Sequence, residues 1–107
     1  MRIFRFITTI ISSILMTSCI INPNKISIAY PNWAEGIAVT HLAREILVEQ
    51  GFQVELLNAD IAPIFTSLAR GKTDVFLDSW LPVTHKPYFE KYQGKFEILG
   101  QVFDSAR

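Results

Sequence analysis

Three consecutive stretches decide the fold: Lys25-Ile-Ser-Ile-Ala-Tyr30, the run from Gly36 to Gln50 closed by Gly51, and Phe52-Gln-Val-Glu-Leu-Leu-Asn58. In the first, Ile26, Ile28 and Tyr30 recur at period two, the spacing of a strand, and Pro31 stops it. In the second, Val39, Leu42, Ala43, Ile46 and Leu47 recur at steps of three and four, which predicts a helix ending at Gly51. The third reads as another strand.

The same alternation continues downstream. Asp60 stands where an N-cap belongs, ahead of Ile61, Ile64, Phe65 and Leu68, an amphipathic helical stripe that ends at Arg70-Gly71. Asp74-Val-Phe-Leu-Asp78 predicts a short third strand. Thr84 is the expected cap of a third helix running through Tyr92, with Pro87 tolerated in its first turn, and Phe96 to Leu99 is expected to begin a fourth strand. Strand and helix alternate in the order β-α-β-α-β-α without hairpin signals, so the fold class is α/β with a parallel sheet and right-handed crossovers. A parallel sheet needs cover on both faces and on its edges. The sequence offers no closing element at Asp104-Ser-Ala-Arg107, so it is expected to be part of a larger fold.

Composition sets the outer bounds. The chain has 107 residues, 50% hydrophobic and 19% charged, with ten basic residues against ten acidic and one cysteine, Cys19. That is room for one domain. A balanced charge without a basic patch argues against a nucleic-acid partner, and the apolar content argues against disorder. A single cysteine excludes an internal disulfide and a thiolate zinc site, and no metal or cofactor is expected.

The amino-terminal segment differs from the rest. Arg2 and Arg5 precede an apolar run from Phe6 to Met16, which is shorter than a bilayer-spanning helix, and small residues lead into Cys19. Residues 1–18 therefore read as a secretion signal. Met16-Thr17-Ser18-Cys19 resembles a bacterial lipobox, which implies lipidation of Cys19, a membrane anchor and a cell-envelope location; a plain signal peptide with an incidental thiol is the other reading. Residues 19–24 read as a tether and 25–107 as the folded part.

In open parallel sheets, ligands bind beyond the carboxyl ends of strands near the point where strand order reverses. With strand order 2-1-3, the segments after strands one and three, Asn32-Trp-Ala-Glu-Gly36 and Ser79-Trp-Leu-Pro-Val-Thr-His85, share one rim. Both tryptophans of the chain, Trp33 and Trp80, then stand together, with Glu35 and His85 nearby. Indole faces and an acid suit a cation without N–H groups, such as a quaternary ammonium; His85 or helix-start N–H groups suit a ligand carboxylate. The plainer reading takes the tryptophans as partly buried core residues, Glu35 as a first-turn acid favoured by the helix dipole, and His41 as a helix-surface residue.

Tyr30-Pro-Asn-Trp-Ala-Glu-Gly-Ile-Ala-Val-Thr40 and Leu68-Ala-Arg-Gly-Lys-Thr-Asp-Val-Phe-Leu-Asp-Ser-Trp-Leu-Pro-Val-Thr-His85 resemble the glycine betaine, proline betaine and choline substrate-binding proteins of ABC importers. The resemblance covers nearly all of Lys25 to Gly100. It implies a two-lobed periplasmic-binding-protein (type II) fold that closes on its ligand, of which residues 25–107 would be the N-terminal part of the first lobe, with the second lobe absent. It implies that Trp80 and Trp33 wall a trimethylammonium group, that Glu35 places a charge near the cation, and that His85 holds a carboxylate. It also implies an ABC permease as partner, and a truncated or split receptor whose second lobe would come from a separate chain. The two-walled part alone is expected to bind weakly. The alternative from another class is a small envelope lipoprotein with a structural or interaction role. An enzyme is not expected: there is no phosphate-binding glycine loop, His-Glu-x-x-His or Gly-x-Ser-x-Gly, and Asp74 and Asp78 flank a short strand, where they serve turn and loop geometry.

Overall fold

The computed structural model describes residues 22–103. The secretion-signal and lipidation readings, including Cys19, fall on residues 1–21 and lie outside the described residues. Three strands and three helices alternate: β1 (Lys25–Tyr30), α1 (Ala34–Glu49), β2 (Gln53–Asn58), α2 (Ile61–Ala69), β3 (Val75–Phe76) and α3 (Lys86–Lys91). The sheet is parallel with order β2-β1-β3. Right-handed crossovers in this order put α1 on one face and α2 on the other.

β1 is the central strand, and its sequence shows why. Ser27, Ile28 and Ala29 are buried, as a strand covered on both faces requires. It pairs with β2 along its full length, from Lys25 opposite Gln53 to Tyr30 opposite Asn58. With β3 it pairs only through Ile28 opposite Val75 and Ala29 opposite Phe76. Side-chain bonds reinforce this short ladder: Asp74 Oδ2 accepts from the Ser27 backbone N–H at 2.8 Å and from Ser27 Oγ at 3.0 Å. The Asp74 backbone N–H in turn donates to the Ser27 carbonyl at 3.1 Å. Asp74, expected to serve turn and loop geometry, instead ties the start of β3 to β1.

The helix α1 meets the sheet through small residues. Gly36 and Thr40, one turn apart, are its buried positions, and Ala43 and Leu47 continue that side half-buried, while Leu42 and Ile46 are exposed. On the other face Ile64 and Phe65 of α2 are almost fully buried. Phe65 is the hub of an aromatic cluster, stacked on Tyr88 at 5.4 Å and edge-on to Phe76 at 5.7 Å and His85 at 5.8 Å. A positive φ at Gly51 (91°) and Gly71 (69°) lets the chain turn out of α1 and α2.

Four local expectations are corrected. The helix after β1 begins at Ala34, two residues before Gly36, because Trp33 takes the extended cap position and its carbonyl accepts the Ile37 N–H. The third strand is paired over two residues only. The third helix is capped by His85 and not by Thr84: the His85 N–H is held by the Trp80 carbonyl and the Lys86 N–H by Val83, which delays helix entry. Residues 96–99 form no strand; Phe96 is drawn onto Phe65 and Phe89, leaving Ile98 and Leu99 exposed without a ladder partner.

Candidate functional site

The residues just past β1 and β3 come together because those strands are neighbours in the sheet. Trp33, Ala34, Glu35, Trp80, Thr84 and His85 line one cavity of about 370 Å³, at the low end of the roughly 300–1,000 Å³ of small-molecule sites. All four residues singled out from the sequence are among them. His41 lies apart, exposed on α1, its ring edge-on to Tyr30.

Each indole is 38% exposed, so each keeps an open face while its N–H is engaged. Both N–H groups donate to the same carboxylate: Trp33 Nε1 to Asp78 Oδ2, and Trp80 Nε1 to Asp78 Oδ1 at 3.0 Å. Asp78 itself is only 4% exposed. The carboxylate fits beside the start of α1 because residue 36 is glycine; a Cβ there would stand 3.0 Å from Asp78 Oδ2 and 3.0 Å from the Pro31 ring. Donors and the positive end of the α1 dipole together offset the cost of burying the charge.

His85 forms the floor. Its ring lies nearly parallel to the Trp33 indole at 6.3 Å and is buried among Phe65, Phe76 and Tyr88. Its Nδ1 accepts the Trp80 backbone N–H at 2.9 Å, while the His85 backbone N–H donates to the Trp80 carbonyl at 3.0 Å. This reciprocal pair closes the turn Trp80 to His85, within which the Leu81–Pro82 peptide is cis. Burial lowers the His85 pKa below the ordinary 6.5, and the nearby Asp78 charge partly opposes that shift. A neutral ring with Nδ1 as acceptor carries its proton on Nε2, the one ring nitrogen left for a ligand. Glu35, in the first turn of α1, is exposed and makes no ion pair among the described residues.

Asp78 is the functional residue that sequence reasoning assigned to turn geometry alone. The signal available was Asp78-Ser-Trp80, an acid two residues before an indole; its bond to Trp33, 45 residues away, has no local signature. Gly36, read as the end of the rim segment and the start of the helix, was given no role beside an acid. Among the described residues no three His, Cys, Asp or Glu side chains are grouped to hold a metal ion, and no helix is long and apolar enough to cross a membrane.

Residues 24–107 match the family described as the substrate binding domain of ABC-type glycine betaine transport systems. A glycine betaine/carnitine transport binding protein of Listeria monocytogenes is 31% identical over 87 residues, which are 81% of this chain and 29% of that protein. Among solved structures, lactococcal OpuAC in its closed-liganded conformation with glycine betaine superimposes with a TM-score of 0.69 at 31% identity, covering 72% of this chain and 30% of that one. The glycine betaine, L-proline-binding protein ProX of Borrelia burgdorferi superimposes with a TM-score of 0.62 at 29% identity, covering 64% and 26% respectively. The chain thus spans less than a third of the length of these relatives.

Proposed function

Because the chain belongs to the family of substrate-binding domains of ABC-type glycine betaine transport systems, we propose that residues 25–107 supply part of one receptor lobe for a quaternary-ammonium osmoprotectant, delivered to an ABC permease. Glycine betaine, proline betaine and choline are the ligands of the right chemistry. Proteins of this family bind and release a solute and are not enzymes, and here too no bond of the ligand is made or broken. The observation that carries the reading is the pair of half-exposed indoles, Trp33 and Trp80, flanking one cavity with Glu35 at its edge.

A trimethylammonium group has no N–H to donate, so hydrogen-bond acceptors cannot select it. Its charge is spread over methyl groups that prefer an apolar, electron-rich surface. An indole face supplies both, at about 0.5–2 kcal/mol per ring depending on desolvation. Glu35 adds a net negative charge, and Nε2 of His85 is the donor available to a carboxylate such as that of glycine betaine. Two walls then contribute about 1–4 kcal/mol, which by itself corresponds to millimolar or weaker binding. The matched part is less than a third of each relative, and in this reading further walls would belong to the part of such a receptor that lies outside the match. A signal over residues 1–18, cut before Cys19, would export such a receptor, and a lipid on Cys19 would hold it at the outer face of a membrane.

Titration of the 107-residue chain, followed by the NMR signals of its two indole N–H groups, tests this reading. Choline, glycine betaine and proline betaine are expected to shift both signals with dissociation constants of about 1–100 mM, and the neutral isostere 3,3-dimethylbutan-1-ol to bind several-fold more weakly. Equal affinity for the neutral isostere, or no response of either indole to any of the cations, overturns it.

A further inference from the structure

We propose that Asp78 is a positioning residue that sets the relative placement of Trp33 and Trp80 by giving one carboxylate oxygen to each indole. The bonds themselves are independent of any ligand; only their consequence for binding rests on the quaternary-ammonium reading above.

Three observations carry the proposal. Asp78 is 4% exposed, and among the described residues it has no ion-pair partner. A buried carboxylate without donors costs several kcal/mol, and here each oxygen receives an indole N–H. The donors come from two loops that the chain separates: Trp33 leads into α1, while Trp80 follows β3. The β1–β3 ladder ends at Ala29 opposite Phe76, so beyond that rung Asp78 supplies the hydrogen-bonded cross-link between the loops, beside the stacking of the Trp33 and His85 rings. Finally, the space for its Oδ2 depends on the missing side chain at Gly36. A carboxylate serving only as a helix-start anion would not need one oxygen aimed at each tryptophan.

The arrangement has an electronic consequence as well as a geometric one. An N–H that donates to an anion becomes more polarised, which leaves the indole ring richer in electrons and more attractive to a cation over its face. One buried acid therefore fixes where both walls stand and strengthens both.

Trp33 and Trp80 are the two tryptophans of the sequence, so a chain carrying 15N-labelled tryptophan gives two indole N–H signals, assigned with Trp33→Phe and Trp80→Phe. In the native chain both should exchange with water at least about 10-fold more slowly than free tryptophan; fast exchange of either overturns the proposal. Asp78→Asn retains one acceptor oxygen, so one indole should keep its protection while the other loses about 10-fold or more. Unchanged protection of both refutes the shared acceptor. If Asp78→Asn unfolds, Gly36→Ala decides: its new Cβ presses on Oδ2, and Trp33 should exchange several-fold faster while Trp80 is unmoved. Equal responses of the two indoles, or none, overturn the proposal.

Choline titration of native and Asp78→Asn chains separates the two ideas. A native chain that ignores choline defeats the ligand reading and leaves the bonds to be judged by exchange. A variant that has lost one indole bond yet binds choline as tightly as the native chain defeats the positioning role. Expected is an affinity about 10-fold lower.

Discussion

Replacing His85 by phenylalanine separates the two tasks that the histidine performs. A phenyl ring keeps the aromatic contacts with Phe65, Phe76, Tyr88 and Trp33 but removes the Nδ1 acceptor of the Trp80 backbone N–H. A part-buried donor left without a partner costs about 1–3 kcal/mol, so His85→Phe should lower unfolding stability by about 1–2 kcal/mol at pH 7.5. The difference should also depend on pH. Burial depresses the folded-state pKa of His85 below 6.5, so the neutral form is the one the fold favours. The stability this contributes is fully present above the unfolded value of 6.5 and is lost as pH falls toward the folded pKa. Below pH 6.5 the unfolded chain gains a proton that the folded chain resists, and native stability falls by up to about 1.4 kcal/mol per pH unit. The phenylalanine variant lacks that term, so the two stabilities should converge between pH 7.5 and 5.5. Urea titrations followed by far-ultraviolet circular dichroism, with sodium sulfate in every sample to raise stability, measure both effects. A variant as stable as the native chain at pH 7.5, or a gap that widens on acidification, would refute the role given to Nδ1.

Other substitutions test the remaining supports. Asp74→Ala removes the acceptor that ties β3 to Ser27; it should cost about 1.5–3 kcal/mol and accelerate hydrogen exchange at the Ser27 amide far more than at the amides that bond β1 to β2. Phe65→Ala empties the centre of the aromatic cluster, where Phe65 is 2% exposed, and should cost about 3–5 kcal/mol; in so small a core this is expected to abolish the near-ultraviolet dichroism of the folded chain. Glu35→Gln should weaken choline binding about 2- to 5-fold at low ionic strength, with the difference shrinking in added salt, because the group is exposed and screened; an indole-signal titration at two salt concentrations checks it.

The elements that were legible in the sequence are those whose own residues state their period. Ile26, Ile28 and Tyr30 alternate, Ile61, Ile64, Phe65 and Leu68 follow a helical stripe, and Gly51 and Gly71 mark helix ends that positive φ angles bear out. Alternation and handedness, which act on whole elements, point to a parallel sheet; the order 2-1-3 was a condition of the shared rim, and the sheet has that order. The misread boundaries are those settled by a partner. Val75, Phe76 and Leu77 are all apolar and half-buried, yet the ladder extends over two of them: Tyr30, next in register, pairs with β2 and not with Leu77. Thr84 is a good cap by type, but the Trp80–His85 backbone bond closes the turn first. Phe96 had an equally good reading as a strand residue until the rings of Phe65 and Phe89 competed for it.

The site shows the same division. Trp33, Glu35, Trp80 and His85 were findable because aromatic, acidic and imidazole side chains after β1 and β3 are brought to one rim by topology alone. Asp78 was not, because what it does depends on a donor 45 residues away and on the space above Gly36. That dependence has a physical consequence. Trp80 is held twice, through its backbone by His85 and through its indole by Asp78, and Trp33 shares the second of these supports while stacking on the first. Neither wall can turn without breaking a charge-assisted bond or a buried ring contact, so both rotamers are fixed before a ligand arrives. Binding loses affinity to every side chain it must order, at about 0.5–1.5 kcal/mol each. With the walls already placed, a cation meeting this face is spared about 1–3 kcal/mol of that cost, comparable to what the two indoles contribute by attraction. Weakening the shared supports should therefore reduce affinity even where both indole rings are retained.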